Sequence, residues 1–184
     1  MKSMGFNLWM WTVLAVGIFW SVGVYNRITR LRARSMESFL TVAEHLLRYR
    51  LLVTEHLDMQ RVGDSPPDFQ QLVTQLGQME MATKAARMSP WDKELLRAVT
   101  QAGAEVAATW GILRTTPADL AGAVLPEQLM RDWDGNSRLL HLAIASFNQI
   151  LMAYNEAIAQ FPALIITSFL GFKPTGQIAI FHEA

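Results

Sequence analysis

Apolar residues crowd the first part of the chain and thereafter recur every third or fourth position. Between Lys2 and Arg27 there is no charged side chain. The stretch from Ser3 to Asn26 includes Leu8, Trp9, Trp11, Val13, Leu14, Val16, Ile18, Phe19, Trp20, Val22, Val24 and Tyr25. About 20 apolar residues at ~1.5 Å each match the ~30 Å hydrocarbon core of a bilayer, so residues 1–26 read as a segment carrying a transmembrane anchor. No Pro or Gly lies between Tyr25 and Leu57. Ile28, Leu31, Ser35, Phe39, Val42, Leu46, Tyr49, Val53 and Leu57 form a mostly apolar helical stripe there, which predicts that the anchor runs straight into the first helix of a bundle.

Turn chemistry divides the rest of the chain. Gly63-Asp64-Ser65-Pro66-Pro67 reads as a loop. Ser65-Pro66-Pro67-Asp68, Ser89-Pro90-Trp91-Asp92 and Thr116-Pro117-Ala118-Asp119 share a Ser/Thr-Pro-x-Asp pattern. The hydroxyl suits an N-cap, proline the first helical position, and the carboxylate the positive end of the helix dipole. These are three expected helix starts; phosphorylation of the Ser-Pro pairs is a weaker reading. The first precedes a stripe of Phe69, Leu72, Leu76, Met79, Thr83 and Ala86. The second precedes Leu95, Val99, Ala102, Val106, Trp110 and Leu113. The third opens a short helix, and Leu125-Pro126-Glu127 a long one whose beginning Gly135-Asn136 is expected to interrupt. Leu140, Ile144, Phe147, Leu151, Tyr154, Ile158 and Phe161 then alternate steps of four and three, a seam that faces partner helices. Pro162 ends the helix. The fold class is all-α: an anchor continuing into an antiparallel bundle of about four main helices over residues 27–162. A tail, residues 163–184, folds back on the bundle, with turns at Gly171 and Pro174 and a short extended piece from Gln177 to Phe181.

Charge sets topology and narrows function. Lys plus Arg number 16, as do Asp plus Glu, and there is no basic stripe interleaved with aromatics, which argues against nucleic acid. Arg27, Arg30, Arg32 and Arg34 stand just after the apolar run, opposite Lys2. Positive-inside bias puts the bundle on the cytoplasmic side of the inner membrane. The chain has no cysteine, which removes disulfides, thiolate metal sites and Cys nucleophiles. A cleaved signal peptide fits poorly: the apolar run is long, bulky up to Tyr25, and ends in Asn26-Arg27 rather than small residues.

Tyr25-Asn26-Arg27 leading into Leu31-Arg32-Ala33-Arg34 resembles the LemA family. So does the far end, Ala153-Tyr154-Asn155-Glu156-Ala157-Ile158-Ala159-Gln160-Phe161-Pro162 with Gly171-Phe172 beyond it. Asn136, Arg138 and Phe147-Asn148 are similar to weaker copies of the family's motif in the last long helix. The resemblance implies an N-terminal membrane segment, a helical bundle with no established catalytic activity, and a place in the bacterial cell envelope.

Candidate chemistry is sparse. Arg27, Arg30 and Arg34 share a helix face and either recruit anionic headgroups or only fix topology; Arg32 joins them as a membrane-surface candidate. Glu44-His45-Leu46 and Glu55-His56-Leu57 share a face, but their separation of about 16 Å is too great for one metal. His141 and His182 lack ligand spacing. No zinc-protease, phosphate-loop, dinucleotide or nucleophile-elbow motif is present. Asn148 and Asn155, seven apart, suit register-fixing hydrogen bonds in the bundle. Gly17 and Ser21 permit close approach of a second anchor, hence a homo-oligomer. The expectation is a non-catalytic scaffold that needs no cofactor and docks another envelope protein. The alternative is a small-ligand sensor with a pocket lined by Trp91, Trp110 and Trp133. An undetected hydrolase is a third reading.

Overall fold

The computed structural model describes residues 2–59, 67–116, 125–161 and 163–181. It contains five helices: α1 (Lys2–Met59), α2 (Pro67–Met88), α3 (Lys93–Thr115), α4 (Glu127–Ala159) and α5 (Ala163–Phe169). Among the described residues there is no strand; residues 172–180 carry no regular secondary structure. The α1 helix has 58 residues, about 87 Å at ~1.5 Å each. It passes from the apolar segment into the bundle without a break, as the lack of Pro and Gly predicts. It is the one helix among the described residues long and apolar enough to cross a membrane, and its apolar window is unburied.

The bundle begins where α1 acquires neighbours. The α1 helix packs along α4 and along α2, and α2 along α3, while the backbones of α3 and α4 stay farther apart. Pairings of Phe39 with Phe147 and of His45 with Asn136 make α1 and α4 antiparallel. Arg32 reaches Trp91 in the α2–α3 turn, so that turn lies at the end where α1 leaves the bundle, the junction end. The stripe on α1 from Ile28 to Val53 is buried, Leu31 partly. All six α2 stripe residues are buried. Phe39, Leu46, Leu72, Leu76, Met79, Leu96, Trp110, Trp133 and Phe147 are among those filling one core. Each such side chain contributes roughly 1.5–3 kcal/mol by leaving water.

Four local expectations are corrected. The α3 helix starts at Lys93, capped by Asp92, whose carboxylate accepts from the Glu94 and Leu95 amides at 2.9 and 3.2 Å. Ser89-Pro90-Trp91-Asp92 is a turn closed by Asp92 N–H to Ser89 O at 3.0 Å. Aspartate is a cap at least as good as serine and stands where the chain can enter the helix after that turn. The α3 stripe consequently begins at Leu96, fully buried, with Leu95 at its flank. Gly135-Asn136 does not interrupt α4, which is continuous from Glu127. Phe161 leaves the α4 seam and is 82% exposed, because the helix ends at Ala159 with Gln160 as C-cap. The expected third helix start after Thr116 and the terminator Pro162 lie outside the described residues.

Candidate functional site

Two neighbouring regions bring together most of the residues singled out from sequence: the junction end, and the seam between α3 and α4.

At the junction Arg27, Arg30 and Arg34 remain exposed. Arg27 donates to the Gln160 side-chain oxygen at 3.3 Å, tying α1 to the end of α4. Arg32 differs from its three companions and is corrected as a surface arginine. Its guanidinium lies 4.5 Å from the Phe172 ring centre, 5.0 Å from Trp91 and 5.7 Å from Tyr154. It donates to Tyr154 Oη at 3.3 Å, and that hydroxyl in turn donates to the Lys173 carbonyl at 3.1 Å. A planar cation stacked among three rings is held by cation–π attraction of ~2 kcal/mol or more when desolvated. The cluster joins α1, the α2–α3 turn, α4 and the tail. Tyr25 leans on Phe172, ring centres 6.4 Å apart. Asn26 is exposed.

Gly171 and Phe172 acquire a physical reason. Gly171 has φ of +72°, a left-handed conformation that favours glycine. Phe172 N–H bonds Thr167 O at 2.9 Å and Gly171 N–H bonds Ser168 O at 3.4 Å, the pattern of a Schellman cap ending α5. Buried Thr167 donates to Ile158 O at 3.0 Å, satisfying a carbonyl at the end of α4. From Phe172 the chain turns back along the bundle.

The tail fills the seam. Asn155 donates to Thr175 O at 3.0 Å and accepts from Thr175 N–H at 2.9 Å. Asn148 does the same with Ile178, at 2.7 and 3.0 Å. His141 Nε2 lies 3.1 Å from Phe181 O; a carbonyl only accepts, so that nitrogen carries the proton. The α4 positions recur every seven residues and the tail positions every three. Seven helical residues rise about 10.5 Å, and three extended residues about 9–10 Å, so the two ladders keep pace. Ile178 and Phe181 are buried, and the Phe181 ring lies over Gly103 of α3, where a Cβ would overlap it. Asn148 and Asn155 therefore hold extended backbone, which corrects their expected role between helices. That role falls to Asn136, buried in α4. It donates to His45 O at 2.9 Å and accepts from His45 Nδ1 at 3.0 Å, linking α4 to α1.

Farther from the junction, α3 and α4 meet through side chains. Trp110 and Trp133 stack at 3.8 Å with planes 8° apart, Tyr49 packs on Trp133, and Arg114 forks onto Asp134 at 3.1 and 3.3 Å. The cavity beside them, bounded by Met79, Gly103, His141 and Phe181, is about 10 Å³, room for one water at most. Trp91 lies apart, against Arg32, so the three tryptophans do not line a common pocket. Among the described residues no three His, Asp or Glu side chains gather as a metal site. The side chain of His56, and His182 altogether, lie outside the described residues.

The molecule is thus an all-helical bundle whose N-terminal helix is long and apolar enough to cross a membrane. No family model, curated protein or solved structure matches the chain.

Proposed function

We propose that this is a single-pass inner-membrane protein of the LemA type whose helical bundle is a non-catalytic docking module in the bacterial envelope. The observation that carries the reading is the unbroken α1, which couples a charge-free apolar segment to a packed bundle with no hinge between them. A rigid mount suits a protein that presents a surface at a set distance from the bilayer. The bundle faces the cytoplasm by the arginine bias after the span, and anionic headgroups lie against Arg27, Arg30 and Arg34. Met36, Leu40 and Leu51, exposed on α1 and spaced four and eleven apart, give one face of the bundle apolar anchors for a protein partner.

Two measurements test this. Protease protection in sealed vesicles of both orientations should leave the bundle accessible only from the cytoplasmic side. Cross-linking in intact cells followed by solubilisation should return a recurring protein, and Leu40→Asp with Leu51→Asp should lose it. Release of the protein by alkaline carbonate, or cross-links unchanged by those substitutions, would overturn the proposal.

A further inference from the structure

The α5 helix is too short to be a core element, and its outer face is unusual. Phe161 just before it is 82% exposed, Leu164 50%, Ile165 63% and Phe169 92%, with Leu170 half-exposed. These are not isolated surface residues. Between Glu156 and Lys173 there is no charged side chain. The chain therefore carries a second charge-free stretch, and like the first it is closed by a cation. A patch of large apolar side chains with no charge among them is poorly suited to water.

Its position identifies what covers it. Ile165, Phe169 and Leu170 face Ser21, Val22 and Tyr25 of α1 across an apolar groove of about 500 Å³. Those α1 residues belong to the last turns of the charge-free segment. Ser21 lies about 9 Å along the helix before Arg27, the first cation after the span. Helices that lie in a membrane interface bury their apolar face about 5–10 Å into the headgroup–acyl boundary, which is this depth. The orientation agrees. The α5 axis is bent 92° from α4, which runs antiparallel to α1, so α5 lies across the α1 axis and along the plane of a bilayer that α1 crosses. The Thr167 bond to Ile158 O and the Schellman cap at Gly171 fix that pose.

We infer that α5 is a second membrane contact, an interfacial helix whose Leu164, Ile165, Phe169 and Leu170 insert beside the end of the span, with Phe161 alongside. The groove between α1 and α5 takes a lipid acyl chain, and Arg27 and Lys173 stand at the headgroups. This inference rests on α1 spanning the bilayer.

The absence of cysteine permits a direct test on the full chain. Single variants Val16→Cys, Ile165→Cys, Phe169→Cys and Ile112→Cys are labelled with bimane. They are then reconstituted into vesicles of phosphatidylethanolamine and phosphatidylglycerol with lipids brominated near the carbonyl end or near the methyl end of the acyl chain. Labels at 165 and 169 should emit to the blue of the exposed Ile112→Cys label and be quenched most by the shallow bromines. The Val16→Cys label should be quenched most by the deep ones. If 165 and 169 match Ile112→Cys while Val16→Cys is quenched, the α5 inference fails and the anchor stands. If Val16→Cys is also unquenched, both fall.

Discussion

Replacing Gly103 with alanine isolates the seating of the tail, because two opposed effects of known sign act at that position. Alanine in the middle of α3 favours the helix over glycine by ~1 kcal/mol. Its Cβ, however, overlaps the Phe181 ring. Phe181 lines, with Met79, Trp133 and Tyr49, a cavity of only about 10 Å³, which offers the ring no room there, so it must give up its seat over Gly103. Losing a buried phenylalanine costs roughly 3 kcal/mol. Gly103→Ala alone should therefore destabilise by about 2 kcal/mol, and Phe181→Ala alone by about 3. In the Phe181→Ala background the overlap is gone, and Gly103→Ala should become stabilising by ~1 kcal/mol. The change of sign is the signature, a coupling of about 3 kcal/mol in a double-mutant cycle. Urea unfolding of the four proteins in one detergent, monitored by tryptophan fluorescence, measures it. If Gly103→Ala has the same sign and size in both backgrounds, the ring does not occupy that slot and the account of the seam is wrong.

The same geometry sets four further outcomes. Asn148→Asp keeps an acceptor for the Ile178 amide but loses the donor to its carbonyl, and should cost about 1–3 kcal/mol; hydrogen exchange at residues 175–181 should quicken more than in α2. Gly171→Ala meets no neighbour and is penalised only for its φ of +72°, about 1 kcal/mol, read as a lowered Tm with unchanged far-UV circular dichroism. Arg32→Lys retains the charge but loses the planar stack on Phe172 and Trp91, and should destabilise by ~1–2 kcal/mol, with changed near-ultraviolet circular dichroism from Trp91. The Lys84 ammonium, and then Arg50, hold the Glu80 carboxyl below its ordinary 4.5 against a partial desolvation that raises it. A depressed folded value stabilises above the unfolded pKa, and this contribution is lost as pH falls through the folded value. Glu80→Gln should thus flatten the acid side of the Tm–pH curve below about 4.5, by no more than ~1 kcal/mol. An unchanged acid slope would show the pair to be inert.

Burial was legible wherever a helix meets another helix, because a period near 3.6 depends only on the element itself. The stripe from Phe69 to Ala86 and the run from Leu140 to Ile158 could be written down residue by residue for that reason. The shift from Leu95 to Leu96 came from the cap: Ser89 and Asp92 are both competent, and the choice between them moves the start of α3. The long-range polar contacts had no such local signal. Asn148 and Asn155 were visible as a heptad pair, and His141 extends it by seven more. What they bind is extended chain some twenty to forty residues away, with Thr175, Ile178 and Phe181 three apart. A three-residue period in so short a segment is easily missed beside helical patterns. Arg32 looked like its neighbours because charge alone does not reveal which of four arginines rotates inward. Its i+3 relation to Ser35, buried on the same face, was the available clue.

The unbroken α1 also makes the bundle a lever. From Asn26 to Met59 the rod extends about 50 Å at ~1.5 Å per residue. A change in tilt of ~20°, of the size by which spans adapt to bilayer thickness, swings its far end by roughly 17 Å. On the proposed membrane-spanning reading, bilayer thickness would thus set where the Met59 end of the rod lies over the membrane plane, while its height changes by only ~3 Å.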